Sequence, residues 1–440
     1  MKSPLPLPVL LSACLVAAFQ VKAPRRLVSR SQRQSLPQVP RRYRDKDEET
    51  EEFVKSISAT GKLEHVAMEN TDLESGADFG TFRTVAVSQA LVLAGVTAGT
   101  AIILVLSGHP IDMSTLHWNG SSHYTSFWDF QLTPLRFLEG IVAAVPTIFL
   151  STHVEKSDHR DASHVNFSTM DMVMSLFGRR KDRKREEKPY IPETPMIHAY
   201  SLSVALAICT GISEEIIFRG ILPAGMFHIT QSVPMTLIGQ CFVFSLGHLS
   251  PRASLGENKV ICSLQAANGL WYGFVYLVGG ADIMPCIIGH ALYDIHVFME
   301  TWMSINDQLN YTEKAMLTKL SAQDEIEIRR IKQEAGPRLS TKALAHARRF
   351  FYAFDYEQQG GLSKSDVKRA ASYAFLHDKI QPTDERVCIL FDLILEDRII
   401  HDNSFASMSH QERLSLPEFL MLLFLLKADP GQAAENVASS

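Results

Sequence analysis

Apolar residues in this chain gather in long continuous blocks instead of alternating, and strongly polar stretches separate the blocks. Val85–Ser107 holds 23 residues without a charge, enough for a helix to cross a bilayer. Further blocks run over Thr133–Leu150, Ile197–Gly225, Val233–Leu249, Val260–Val278 and Ile283–Met299. The third carries Gly220 and Pro223, which predict a break. About six spans follow from these blocks, so the expected fold is all-α: a polytopic transmembrane helical bundle with residues 81–300 as its membrane domain.

The polar stretches add direction. Residues 151–195 read as a charged loop holding Arg179, Arg180, Lys181, Arg183, Lys184 and Arg185, a run that sets this loop on the cytosol-like or stroma-like side. An even number of later spans returns the carboxyl-terminal part to that side. Trp118, Tyr124 and Trp128 lie in the loop after the first span and suit a membrane–water boundary. Arg136 and Glu139, three apart near the start of the second span, are placed to pair.

The amino terminus opens with Lys2 and a short apolar region, Leu5–Phe19, the pattern of a signal peptide. Lys22–Arg44 is rich in Arg, Ser, Gln and Pro and has no acidic residue, the composition of a transit peptide. Residues 1–44 together resemble a bipartite plastid presequence; an ordinary secretory signal, and with it the endoplasmic reticulum membrane, is the alternative. Residues 45–80 form an acidic, polar arm. Residues 301–345 read as a charged helical connector with Glu325, Glu327, Arg329, Arg330 and Lys332, ahead of a carboxyl-terminal domain over 346–430.

The 440 residues are enough for two or three domains. A net charge of −5, without a basic surface interleaved with aromatics or a Gly-rich phosphate loop, sets nucleic acid aside. The six cysteines contain no C-x-x-C pair, and most fall in apolar blocks, where they act as small apolar residues.

The chemistry concentrates in three apolar blocks. Ser213-Glu214-Glu215-Ile216-Ile217-Phe218-Arg219-Gly220 places two carboxylates and a guanidinium at bilayer depth, where each charge costs roughly 2.5–3.5 kcal/mol on insertion scales. Glu215 and Arg219 are four apart and can pair, which leaves the carboxylate of Glu214 free on another face. Phe244 and His248 end a second block, and His290 and Asp294 share a face of a third. A single histidine near a helix end is usually a packing residue; three polar clusters in order within one apolar region are not explained that way. Glu214 reads as a general base for water, His248 as a group that orients or shares the proton, and His290 with Asp294 as a site for the scissile carbonyl or the water.

The order E-E-x-x-x-R, F-x-x-x-H and H-x-x-x-D/N, with Phe-Arg-Gly after the glutamates and His-Leu at 248–249, resembles the CPBP family of intramembrane proteases. That family includes type II CAAX prenyl endopeptidases and bacteriocin-processing proteins. The resemblance covers Ile197 to Phe298. It implies that Glu214 and His248 activate water, that His290 and its partner contact the oxyanion, and that Glu215 and Arg219 belong to the catalytic motif. Asp294 departs from a hydrogen-bond-donating Asn: it is protonated, or it orients His290 as an acceptor, or it joins the histidines in a divalent-metal site, with zinc the expected ion. Expected partners are the lipid bilayer and a membrane-embedded or prenylated protein substrate. A catalytically silent scaffold on the same fold is the competing function, while transport is disfavoured by the absence of an inverted repeat.

After Phe350–Phe354, residues 355–366 resemble an EF-hand calcium loop. Asp355, Glu357, Gln359, the Gly361 carbonyl, Ser363 and Asp366 occupy the ligand positions, Gly360 the turn position, and Leu362 the short strand that meets a partner loop. Asp366 stands where Glu usually ends the loop. Arg386–Glu396 and Leu414–Phe419 frame a second loop that is too long and lacks ligand rhythm, with Glu418 at its last position. The carboxyl-terminal expectation is therefore an EF-hand-like helical domain with calcium as the candidate ligand.

Overall fold

The computed structural model describes residues 79–106, 132–180, 193–250, 253–335, 341–375, 382–401 and 413–428. The presequence at 1–44, nearly all of the acidic arm at 45–80, Trp118, Tyr124, Trp128, the basic residues from Lys181 to Arg185 and most of the second carboxyl-terminal loop lie outside the described residues.

Helix α1 (Phe79–Leu106) and helix α2 (Pro134–Lys156) open the bundle. Thr133 caps α2 through its side chain and Pro134 fills the first turn, where a missing N–H costs nothing. Arg136 then pairs with Glu139 and with Asp282, each at 2.7 Å, tying the foot of α2 to the turn that leads into α8.

Residues 160–177 form a helix, α3 (Arg160–Phe177), which corrects the expectation of a charged loop over 151–195. Ala162, His164, Phe167, Val173 and Phe177 are buried, while Ser168, Met172 and Ser175 are exposed. Two residues of strand β1 (Arg179–Arg180) pair in parallel with β2 (Glu193–Thr194).

The chain then enters α4 (Met196–Glu215), passes through a π turn (Ile216–Ile221) and continues as α5 (Leu222–Thr230). The break expected near Gly220 and Pro223 is absent. The Leu222 N–H reaches back to the Ile217 carbonyl, one residue wider than in an α-helix, and Pro223 falls in the first turn after this widening. Helices α6 (Val233–Gly247) and α7 (Leu255–Val278) follow; α7 begins in a capping box of Ser254 and Glu257.

Helix α8 (Met284–Leu317) is 34 residues long, so the domain edge expected at position 300 falls inside an unbroken helix. It is wedged between α2 and α4 by small residues. A Cβ on Gly140 would lie 2.5 Å from Ile288 Cβ, and one on Gly211 would lie 3.2 Å from the Ile287 carbonyl. Substituting Gly211 by leucine is therefore expected to separate α4 from α8 and abolish the folded bundle, measured as loss of the monodisperse peak in detergent.

Large apolar side chains cover the outside of these helices. Phe137, Ile141, Val145 and Phe149 on α2, Ile208 and Ile212 on α4, Met235, Ile238 and Phe242 on α6, and Phe274 and Val278 on α7 are all exposed. An exterior this apolar fits lipid and not water. By length and composition, two described helical stretches can cross a membrane, Pro134–Lys156 and Met196–Thr230, with shorter apolar helices at Ala86–Ile102 and Val233–Gly247. Fewer stretches pass than the six expected, and the apolar stretches Ala86–Ile102 and Val233–Gly247 fall short in length.

The carboxyl-terminal part comprises α9 (Ala322–Ala335), α10 (Thr341–Phe354), β3 (Leu362–Ser363), α11 (Lys364–Ala374), α12 (Asp384–His401), β4 (Arg413–Leu414) and α13 (Leu416–Ala428). Its core of Phe350, Phe351, Leu362, Val367, Phe391, Leu414, Phe419 and Leu422 also takes in Phe167 from α3. Phe167 meets Tyr373 edge-on at 4.7 Å, and the His164 ring lies 3.3 Å from the Ser372 carbonyl. The apolar helix at Leu416–Leu426 is thus the centre of this second core.

Candidate active site and the carboxyl-terminal loop

Glu214 and Glu215 diverge because the helix turns about 100° between neighbours. Glu215, at the end of α4, is fully buried and places one carboxylate oxygen 3.0 Å from an Arg219 nitrogen and 2.7 Å from His290 Nδ1. A carboxylate only accepts, so His290 donates through Nδ1, and its Nε2 faces Glu214 at 3.9 Å and Asp294 at 3.7 Å. Arg219 lies between the Phe244 and Tyr272 rings, 5.1 and 5.4 Å from their centroids. The π turn that carries Arg219 keeps it over these rings while it still reaches Glu215.

Glu214 opens on a cavity of about 110 Å3. Thr210, Phe244, His248, Gln265, Asn268, Tyr272, His290, Tyr293 and Asp294 complete its wall. Four elements contribute: α4, the end of α6, α7 and α8. Glu215 and Arg219, placed with the catalytic motif on sequence grounds, do not line this cavity; they stand behind it and hold His290.

His248 follows the last residue of α6. Its Nδ1 lies 2.8 Å from the Phe244 carbonyl, which can only accept, so the ring donates there and leaves Nε2 with a lone pair. Its ring packs on Phe244 at 4.6 Å. Asp294 accepts a hydrogen bond from the Thr210 hydroxyl at 2.7 Å. Tyr272 stacks on His290 at 5.8 Å and 16°, and its hydroxyl lies 3.2 Å from that of Thr147.

Sequence reasoning missed Thr210, Gln265, Asn268, Tyr272 and Tyr293. The signals were present: Thr210 stands one turn before Glu214, and Gln265 and Asn268 are carboxamides three apart in an otherwise apolar block. What the sequence lacked was any indication that α7 turns that face toward α4 and α8.

Among the described residues no three His, Cys, Asp or Glu side chains converge closely enough to hold a metal ion. His290 Nδ1 is held by Glu215 and Asp294 by Thr210, and no step below is routed through a metal.

The loop at 355–366 has been built into a turn. β3 and β4 pair antiparallel with Leu362 opposite Leu414, and Gly360 takes φ 77°, which a side chain disfavours. The buried Asp355 carboxylate accepts the N–H groups of Gln359 at 3.1 Å and Gly360 at 2.7 Å, and the Tyr311 hydroxyl of α8. Asp366 turns back on Ser363, accepting from its N–H at 3.1 Å and its hydroxyl at 2.7 Å, while burial pushes the Asp366 carboxyl up. Arg413 from β4 binds Glu357 and donates to the Gly361 carbonyl at 3.1 Å. In the second loop Arg398 grips Glu418 in the same manner. Of the groups read as calcium ligands, Asp355 and Asp366 accept from hydroxyl and backbone N–H groups, and Glu357 and the Gly361 carbonyl accept from Arg413.

No curated protein and no solved structure matches the chain. Residues 197–296, which supply every side chain of the cavity wall, match the family model described as Type II CAAX prenyl endopeptidase Rce1-like.

Proposed function

We propose that this protein is an intramembrane endopeptidase of the CAAX type, acting on prenylated or membrane-embedded proteins through water activated by Glu214. The observation that carries the reading is the convergence of Glu214, His248, His290 and Asp294 on one cavity inside a bundle whose exterior is apolar. Four ionisable groups at that depth have no packing rationale, since apolar residues would be cheaper there.

In this mechanism Glu214 takes a proton from a water held between it and His248 Nε2, and the water oxygen attacks the scissile carbonyl carbon. The carbonyl π electrons move to oxygen, and His290, protonated on both ring nitrogens, donates Nε2–H to the oxyanion while its Nδ1–H stays on Glu215. Collapse of the tetrahedral centre breaks the C–N bond, and the proton held by Glu214 passes to the departing amine. Glu215 and Arg219 keep the His290 ring turned so that Nε2 faces the cavity. Asp294, fixed by Thr210, orients the same ring from the other side.

The direct test is release of the terminal tripeptide from a farnesylated CAAX peptide by purified protein in detergent. His248→Ala is expected to lower kcat about 10²–10⁴-fold, the usual range for a group that moves or orients the proton. An inactive wild type, with substrate still bound, would instead leave a scaffold. We place the protein in an internal membrane, with the plastid favoured by the composition of residues 22–44 and the endoplasmic reticulum as the competing location.

The carboxyl-terminal module, in this reading, is an EF-hand-like pair closed by Arg413 and Arg398 in place of calcium. It docks on α3 through Phe167 and on α8 through Gln308, which donates to the carbonyls of Tyr352 at 2.7 Å and Asp355 at 2.9 Å. Calcium at 1 mM is therefore expected to leave the Tm of the full-length protein unchanged. A site with Kd near 10 µM would add about 2.7 kcal/mol at that concentration and raise Tm by several degrees, and that rise would overturn this assignment.

A further inference from the structure

One side chain of the cavity has no part in the mechanism above. Asn268, on α7, is 4% exposed, lines the cavity with Glu214 and His290, and its amide oxygen has no hydrogen-bond partner among the described residues. A buried carboxamide oxygen left unmatched is costly. The backbone around it is firmly held: a Cβ on Gly269 would lie 3.3 Å from the Cys241 Cα, and the Gly269 carbonyl accepts from the Gln240 amide at 2.9 Å. A hydrogen bond with Tyr293 holds the Asn268 carboxamide on the cavity wall and leaves its oxygen unmatched. Gln265, three residues earlier and half-buried, presents a second carboxamide to the same wall.

A peptide drawn into this cavity loses the water that satisfied its backbone N–H and C=O groups, and each must find a replacement. The carboxylates Glu214 and Asp294 can accept but not donate when ionised, and the near hydrogen bonds of Tyr272 and His248 are already directed at Thr147 and Phe244. A carboxamide offers an acceptor and a donor in one plane, the complement of a peptide group. It carries no charge to compete with the proton transfers beside it.

We propose that Asn268, assisted by Gln265, is the subsite that holds the substrate's peptide backbone next to the scissile bond, its amide oxygen accepting a substrate N–H. This rests on the protease reading and adds a residue to it. The subsite recognises main chain and not side chain, so it orients any sequence that reaches the cavity.

The test is a cycle between enzyme and substrate. Full-length wild type, Asn268→Ala and Asn268→Leu are assayed in detergent on a farnesylated CAAX peptide and on analogues in which each backbone N–H flanking the scissile bond is replaced in turn by an ester oxygen. Wild type should lose about tenfold in kcat/KM on one analogue, the one lacking the N–H that Asn268 accepts. Asn268→Ala should lose about as much on the parent peptide and be indifferent to that same analogue. Asn268→Leu keeps the volume and should behave like the alanine variant, which separates backbone recognition from a packing defect. If the ester lowers wild type and both variants by the same factor, or if the variants cleave the parent peptide as well as wild type, the subsite is overturned while the protease reading stands. If wild type cleaves none of the peptides, the protease reading falls and this proposal with it.

Discussion

Glu214→Gln is expected to reduce peptide cleavage by about 10²–10⁴-fold in kcat with little change in KM, the span that a positioned general base contributes. Glutamine keeps the shape of the side chain and its place on the cavity wall beside Thr210 and His290, but it cannot take a proton from water. The loss belongs to the chemical step, so single-turnover kinetics should show it undiminished. Because the Glu214 carboxylate is not part of the Arg219 pair, the variant should fold with the Tm of wild type. Wild-type turnover in Glu214→Gln would remove the proposed base, and a large fall in Tm would show that Glu214 supports the fold instead.

The neighbouring carboxylate is expected to behave in the opposite way. Glu215→Ala leaves Arg219, which is fully buried, without its nearest anion; removing one partner of a buried ion pair typically costs about 3–5 kcal/mol. The same substitution removes the acceptor of His290 Nδ1 and frees that ring to turn. Stability and activity should therefore fall together, read as a lower Tm in detergent and a lower yield of folded protein. Glu215→Gln retains an acceptor for one of the two partners and should lie between alanine and wild type in Tm. If Glu215→Ala is as stable as wild type and only its activity falls, Glu215 belongs with the catalytic groups and not behind them.

Adjacent glutamates with contrary roles show how much a sequence can carry. The spacing of Glu215 and Arg219 gave their pairing directly, because four residues on any helix share a face. His290 was read as a partner of Asp294 for the same reason, yet its 2.7 Å bond runs to Glu215, 75 residues earlier in the chain. No local rule contains that contact. Glycines decide it: Gly211 lets α4 approach the backbone of α8 next to His290, and a Cβ there would already be 3.4 Å from the Ala291 nitrogen.

The amphipathic α3 was missed for a related reason. Its buried face meets no apolar neighbour within its own stretch of chain; Phe167 is covered by Phe354 and Tyr373, about two hundred residues later. A helix whose partner is distant looks like charged loop until the partner is in place. The calcium-like loop also depends on a distant residue. Its ligand rhythm is local, while Arg413, which lies beside Glu357 and Gly361, arrives from 52 positions beyond Gly361.

The sequence alone determined the apolar blocks, the polar clusters inside them and the pairing of residues a turn apart, because hydropathy and helical periodicity are properties of neighbours in the chain. The tertiary structure decided which faces of α4, α6, α7 and α8 look inward, and so which of the polar residues share a cavity, which stand behind it and which amide is left for a substrate to satisfy. Rotation of one helix about its axis against the next is set by side-chain volume at close contacts, by Gly140, Gly211 and Gly289 in this bundle, and contacts of that kind are made between residues that the sequence holds far apart.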